Sequence, residues 1–267
     1  MIKFAVIGAG AMGSAIAKGL VNNKTFDPAE IIFCDLDTAR LEAIKNELQV
    51  KITDSYDELK KELSDQTMIM LAVKPQVLEK VLESLQGIKD SNVLISIAAG
   101  KTIASIQNVF SNNQIFRVMP NTPAQVLKAA SAISASTNVS KENLEKVKEI
   151  FNAIGVCVEV NEDDLDTVTA VSGSGPAYIF LMTEAMTEAG IKLGLDSKVA
   201  EALARQTVYG AASLMIETDE SAQELRAKVT SPNGTTQAGI ENCQENGYEE
   251  LVFKALEAAK KRSLELN

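Results

Sequence analysis

The stretch from Ile2 to Ile16, IKFAVIGAGAMGSAI, leaves the chain fewer structural choices than any other. An unbroken apolar run ends at Gly8, Gly10 and Gly13 follow at once, and apolar residues then recur at helical spacing. A G-x-G-x-x-G pattern is weak by itself, because glycine turns are common. Placed directly after a strand and opening a helix, it has a specific physical use. Gly8 permits a tight turn, Gly10 lets the backbone approach a pyrophosphate, and Gly13 lets the helix pack closely on the strand. The helix N-terminus then faces the phosphates with its amides.

Up to residue 160 the same alternation repeats. IKFAVIG (2–8), IIFCD (31–35), MIMLAV (68–73), NVLISIA (92–98) and QIFRVM (114–119) read as strands, with SAISAS and VCVEV (156–160) adding the last ones. Between them GSAIAKGLVNN, TARLEAIKNEL, PQVLEKVLESL and KENLEKVKEIFNAI carry apolar residues three and four apart. Continuous apolar strands alternating with helices predict an α/β fold, a Rossmann-type, mostly parallel sheet covered on both faces. After NEDDLD (161–166) strand signals stop and the remainder reads as helices broken at Gly and Pro. The division expected is a dinucleotide-binding domain over 1–160 and an all-helical dimerisation domain over 161–267. Residues 176–193, PAYIFLMTEAMTEAGIKL, are apolar nearly all round, which predicts a helix buried on most sides and completed by subunit association.

Bulk properties narrow the chemistry. A net charge of −10 with no strongly basic stretch argues against nucleic acid as a partner. Cys34, Cys157 and Cys243 are odd in number and far apart, which fits a reducing compartment rather than a disulfide framework. There is no histidine, so acid–base work falls to carboxylates, Lys, Tyr, hydroxyls or water, and no imidazole can ligate a metal. The opening MIKFAVIGAG runs straight into strand and glycine turn, and no apolar run is long enough to span a bilayer; the expected location is the cytoplasm.

Ligands of such sheets lie beyond the carboxyl ends of the strands. The residues there are Ile7, Gly8, Ala9, Gly10, Ala11, Met12 and Gly13 in the first turn, then Ala72, Val73, Lys74 and Pro75, then Ala98, Ala99 and Gly100. Asp35, about 20 residues beyond the glycines, is placed to accept the adenosine ribose hydroxyls and to repel a 2′-phosphate, which favours NADH. Arg40 is near enough to pair with that phosphate, so NADPH stays open. Lys74 either caps a helix or touches the cofactor, and Pro75 suits a first helical position. Asn121 in RVMPNTP either holds the nicotinamide ribose or carboxamide or shapes a turn. Cys34 either touches the adenine side or fills the strand's end.

Late in the chain, KVTSPNGTTQAGI crowds hydroxyls around a helix start. Ser231 or Asn233 can cap that helix, leaving the amides of Gly234, Thr235 and Thr236 free for an anion. SGSGPAY offers a similar start, with Ser174 as its best contact candidate, although its glycines equally suit close helix packing. Glu162 by itself reads as a solvated loop residue.

Taken together, the glycine turn, AVKP, RVMPNTP, VSGSGPAYIF (171–180) and VTSPNGTTQAGI (229–240) resemble the Δ1-pyrroline-5-carboxylate reductases over nearly the whole chain. The resemblance implies reduction of the cyclic imine 1-pyrroline-5-carboxylate to L-proline with NADPH or NADH. It also implies a helical domain that interlocks with its partner's in a homodimer, with dimers joining into a larger homo-oligomer. By the same resemblance Gly234 and Thr235 bind the substrate carboxylate, Thr236 sets its hydroxyl near the imine nitrogen, Glu162 lies near the substrate, and Tyr56 occupies a place at the adenosine ribose. The chain departs from the family pattern at Ala11, commonly Asn or Gln, at Tyr56, where asparagine is common, and at Asn233, where the family motif has glycine. If position 233 needs a positive φ, Asn is the best-tolerated replacement. A β-hydroxyacid dehydrogenase shares the two-domain plan but places a catalytic lysine one turn into the interdomain helix, where this chain has Ile179. A non-catalytic NAD(H) sensor needs no Thr235–Thr236 element.

Overall fold

The repeated strand–helix pattern folds into one eight-stranded sheet in the computed structural model, which describes residues 1–266. Its strands are β1 (Ile2–Ile7), β2 (Ile31–Cys34), β3 (Lys51–Thr53), β4 (Leu63–Leu71), β5 (Val93–Ser96), β6 (Gln114–Met119), β7 (Ala129–Ala135) and β8 (Gly155–Glu159). They lie in the order β3-β2-β1-β4-β5-β6-β7-β8. Every neighbouring pair is parallel except β6–β7. The order reverses between β1 and β4, so the loops after these two strands diverge and leave a crevice at their carboxyl ends.

Alternate residues of the strands feed two cores. Phe4, Val6, Phe33, Met70, Ile95 and Phe116 face one way and pack against α1 (Ala11–Asn22), α2 (Thr38–Leu48) and α6 (Lys141–Asn152). Ile2, Ala5, Ile7, Ile69, Leu71 and Leu94 face the other way, against α3 (Tyr56–Glu62), α4 (Leu78–Ser84) and α5 (Ile103–Gln107). This two-sided burial is why the strands carry unbroken apolar runs instead of alternating ones. A smaller cluster of Met119, Ala132 and Leu165 joins the end of β6 to α7 (Leu165–Val168). The mostly parallel sheet matches the sequence expectation; β3, α3 and α5 are additions to it.

Backbone contacts divide the chain into two compact units, residues 1–174 with the segment from 259 onward, and residues 175–258. The second unit is helical throughout: α8 (Gly175–Lys192), α9 (Ser197–Glu217), α10 (Ala222–Lys228), α11 (Thr235–Glu245) and most of α12 (Tyr248–Leu264). The long apolar helix is not buried within one chain. No described residue of α8 is buried, and Phe180 is 61% exposed. The buried apolar residues of this unit are Ala200 and Ala204 on α9. Helices this short of internal core need apolar surface from outside to cover them. No helix among the described residues is long and apolar enough to cross a membrane.

Phe151, fully buried at the end of α6, ties that helix to the sheet. Phe151→Ala is expected to lower stability by about 3–5 kcal/mol, seen as a drop in the urea midpoint with an unchanged slope.

Candidate active site

The first turn is built from backbone in close contact. Gly8 has φ +106°, and a Cβ there would sit 2.5 Å from the Ala72 carbonyl oxygen. At Gly13 a Cβ would lie 2.7 Å from the Gly8 carbonyl and 3.0 Å from the Ala72 Cβ. At Gly10, by contrast, a Cβ would meet nothing within 4 Å, so the crevice is open at the position where a ligand's phosphates must come close. Helix α1 starts on Gly10 with no side-chain cap and no acidic residue in its first turn. Its leading amides, on Ala11, Met12 and Gly13, therefore face the crevice uncovered. Six other helices, α2, α3, α5, α6, α9 and α10, start on an Asp, Ser or Thr side chain that accepts from the first turn. The bare start of α1 suits an anion.

Beside it, the Asp35 carboxylate accepts the Ala9 N–H at 2.6 Å and the Asp37 N–H at 2.9 Å. Both oxygens are thus fixed by the main chain, and the group cannot swing away from whatever occupies the end of β2. Asp37 caps α2 and pairs with the Arg40 guanidinium at 3.1 Å, so Arg40 already has a carboxylate partner. Tyr56 stands at the start of α3, half-buried, and burial with Cys34 and Asp35 beside it raises its phenol above the ordinary range. Cys34 is buried in the core, and burial, reinforced by Asp35 and Asp54, pushes its thiol up to about 12. It fills the strand's end, the second of the two roles its sequence position allowed.

The remaining strand ends line up beyond β4, β5 and β6. Ala72 and Val73 continue β4, and Lys74 and Pro75 begin a 3-10 turn, Pro75 at its first position and Lys74 at the cap by its backbone alone. After β5, Ala98 is held by an N–H to the Ser96 hydroxyl at 3.3 Å, Ala99 is half-buried and Gly100 has φ +72°. After β6, Asn121 is buried; its amide donates to the Ser172 carbonyl and accepts the Ala130 N–H, both at 3.0 Å. Asn121 therefore shapes the chain path here, with one amide hydrogen left over for a ligand.

Glu162 is no solvated loop residue. Its Oε1 accepts the Ile103 N–H at 2.7 Å and pairs at 3.3 Å with Arg117, which is 3% exposed. Arg117 gave no sequence signal, because it sits in an apolar strand and its partner lies far along the chain. Ser174 closes a π-type turn over Thr169–Gly173 by donating its N–H to the Thr169 carbonyl at 2.8 Å.

In the helical unit, α11 begins on Gly234, not on Ser231 or Asn233 as the residue types suggested. Asn233 takes a left-handed conformation, φ +57°, which turns its side chain out of a capping position. Its N–H goes to Gln237 Oε1 at 2.8 Å, and the Gly234 N–H goes to the Ser231 carbonyl at 3.0 Å. The Gly234 amide is thus not free, and the bare amides shift along the helix to Thr235, Thr236 and Gln237. No side chain caps them. This is the second uncapped glycine start in the chain.

Comparison with known proteins covers the whole length. Residues 162–266 match the family model described as pyrroline-5-carboxylate reductase dimerisation. Residues 3–100 match the model described as NADP oxidoreductase coenzyme F420-dependent. A pyrroline-5-carboxylate reductase of Synechocystis sp. is 42% identical over 99% of this chain and 98% of its own length. The solved structure of a pyrroline-5-carboxylate reductase from Coxiella burnetii is 36% identical with a TM-score of 0.93, covering 100% of this chain and 98% of that one. That of Plasmodium falciparum pyrroline carboxylate reductase, with NADP bound, is 32% identical with a TM-score of 0.85, covering 99% and 98%.

Gly8→Ala forces a side chain against the Ala72 carbonyl at a φ that L-residues avoid. Titration by nucleotide fluorescence is expected to show dinucleotide affinity lowered at least about tenfold, a cost of the size such strain carries.

Proposed function

The chain belongs to the pyrroline-5-carboxylate reductase family and reduces 1-pyrroline-5-carboxylate to L-proline with NADH or NADPH; we propose how its residues divide that work. The residues of the first turn fit a dinucleotide: Gly10 is open to it, and the uncovered amides of Ala11, Met12 and Gly13 face its pyrophosphate, flanked by Ile7, Gly8 and Ala9. Asp35 holds the adenosine ribose with Tyr56 alongside. Ala72–Pro75, Ala98–Gly100 and the free amide hydrogen of Asn121 border the nicotinamide end. When bound, the reduced nicotinamide supplies a hydride.

The bare start of α11 carries the substrate side of this reading. A carboxylate fits a helix N-terminus without any arginine. Thr235 and Thr236 present their amides to it, and Gly234 contributes an α-carbon with no side chain in the way. A Cβ on Gly234 would displace the Ser231 hydroxyl and stand 3.0 Å from the Ser231 carbonyl oxygen, so the turn is tight there. Ser174 and Glu162 are secondary contacts at the substrate's edge.

Little acid–base machinery is required. Hydride addition to a protonated imine yields a neutral amine, so no alkoxide develops and no imidazole is needed. Holding the ring in a reactive orientation can contribute roughly 7–11 kcal/mol. The Thr236 hydroxyl is too weak an acid to protonate the imine alone; it positions the ring nitrogen and passes on a proton from water. The family model identifies residues 162–266 as a dimerisation region. The exposed apolar side chains of α8 support a homodimer as the working unit, and we place dimers in a larger homo-oligomer in the cytoplasm.

Two measurements test this division. Thr236→Ala is expected to lower kcat/KM for pyrroline-5-carboxylate about 10²-fold, as loss of a positioned donor does, with cofactor KM kept; near-normal turnover removes Thr236 from the reaction. The fixed Asp35 carboxylate predicts kcat/KM higher for NADH than for NADPH by about tenfold, and Asp35→Asn should erase that ratio. Equal ratios in both proteins would remove Asp35 from cofactor choice.

A further inference from the structure

Arg117 is a buried cation, 3% exposed, on a strand whose other buried residues are apolar. It lies on β6 between Ser96 of β5 and Ser134 of β7, its register partners, and near the small cluster at the end of that strand. Its Nε is buried and finds no hydrogen-bond partner among the described residues. Among the described residues one ion pair, Nη1 to Glu162 Oε1 at 3.3 Å, answers a charge that never leaves. A single monodentate contact is a poor way to stabilise a buried guanidinium, since desolvation outweighs it. The arrangement makes sense by what Glu162 holds with the same oxygen, the N–H of Ile103.

Ile103 is the first residue of α5, and the loop from Ile97 to Thr102 connects it to β5. That loop is tied to the sheet at its start, where the Ile97 N–H donates to the Leu71 carbonyl at 3.2 Å. At its far end Thr102 caps Ser105, and the amide of Ile103 goes to Glu162. Ala98, Ala99 and Gly100 lie between the two ties. We propose that Arg117 is a positioning residue: it aims Glu162 at Ile103, and so fixes the height of the 98–102 loop against the bound dinucleotide. The inference rests on the reading of Ala98–Gly100 as a cofactor segment. Arg117 itself touches neither cofactor nor substrate.

The test combines binding, kinetics and hydrogen exchange on the full-length protein. Arg117→Met and Glu162→Ala should each weaken NADH binding about tenfold, whereas Glu162→Gln, which keeps an acceptor for Ile103, should stay within about threefold. The KM for pyrroline-5-carboxylate should change less than the cofactor KM. Exchange of the Ile103 amide should quicken in Glu162→Ala while Phe116 and Val118 in the sheet keep their protection. If Arg117→Met does not fold, the two Glu162 variants carry the comparison. Unchanged protection at Ile103 overturns the bracing and leaves the cofactor placement standing. Faster exchange at Ile103 with unchanged NADH affinity overturns the inference together with that placement. A rise confined to the substrate KM also overturns it, and leaves Glu162 as a substrate contact alone.

Discussion

The closest backbone approach in the site, Gly8 and Gly13 against Ala72, is the constraint from which the rest of the nucleotide half follows. It brings β1 and β4 together at the one place where strand order reverses. The crevice exists because the loops after these strands part, and α1 can aim its first amides into it because nothing larger than hydrogen stands on Gly8 or Gly13. The carboxylate of Asp35 completes the arrangement from β2 by gripping the Ala9 amide. A turn, a helix start and an acid thus become one rigid surface without a single long side chain.

Much of this half was legible in the sequence, since its elements are long or strongly patterned. TARLEAIKNEL is a helix over the very residues read, and the apolar runs are the central strands. The misses have separate physical causes. β3 has three residues and sits at the sheet's edge, α5 has five, and neither is long enough for a period to emerge. Arg117, and its pairing with Glu162, escaped because a pair 45 residues apart leaves no local trace. At α11, residue types pointed to Ser231 or Asn233 as the cap; the left-handed turn at Asn233 moved the cap to Gly234 and took the Gly234 amide out of use. The apolar character of α8 was read correctly, but in one chain its side chains meet water instead of a core. An all-round apolar pattern tells that a helix will be covered; it does not tell by which chain.

The absence of histidine and the mode of recognition belong together. Peptide N–H groups at α1 and α11 do not titrate, and the hydroxyl of Thr236 does not ionise in water near neutrality. In the proposed reading, the protonation that matters belongs to the imine, and the protein supplies orientation. Cys34 and Cys157 have thiol pKa values raised chiefly by burial, which disfavours the reactive thiolate under the same conditions.

The left-handed residue before α11 has a consequence for how this surface can drift over generations. A recognition element written in main-chain torsions is indifferent to most side chains, provided each newcomer tolerates the required angle. Asparagine does so at position 233, leaving the peptide groups beyond it where a glycine would leave them. Neighbouring Gly234 has an ordinary φ, but a side chain there would need the Ser231 hydroxyl to rotate away and would stand 3.0 Å from the Ser231 carbonyl oxygen. Mutational freedom across this loop therefore alternates residue by residue, governed by torsion at one position and by bare space at the next.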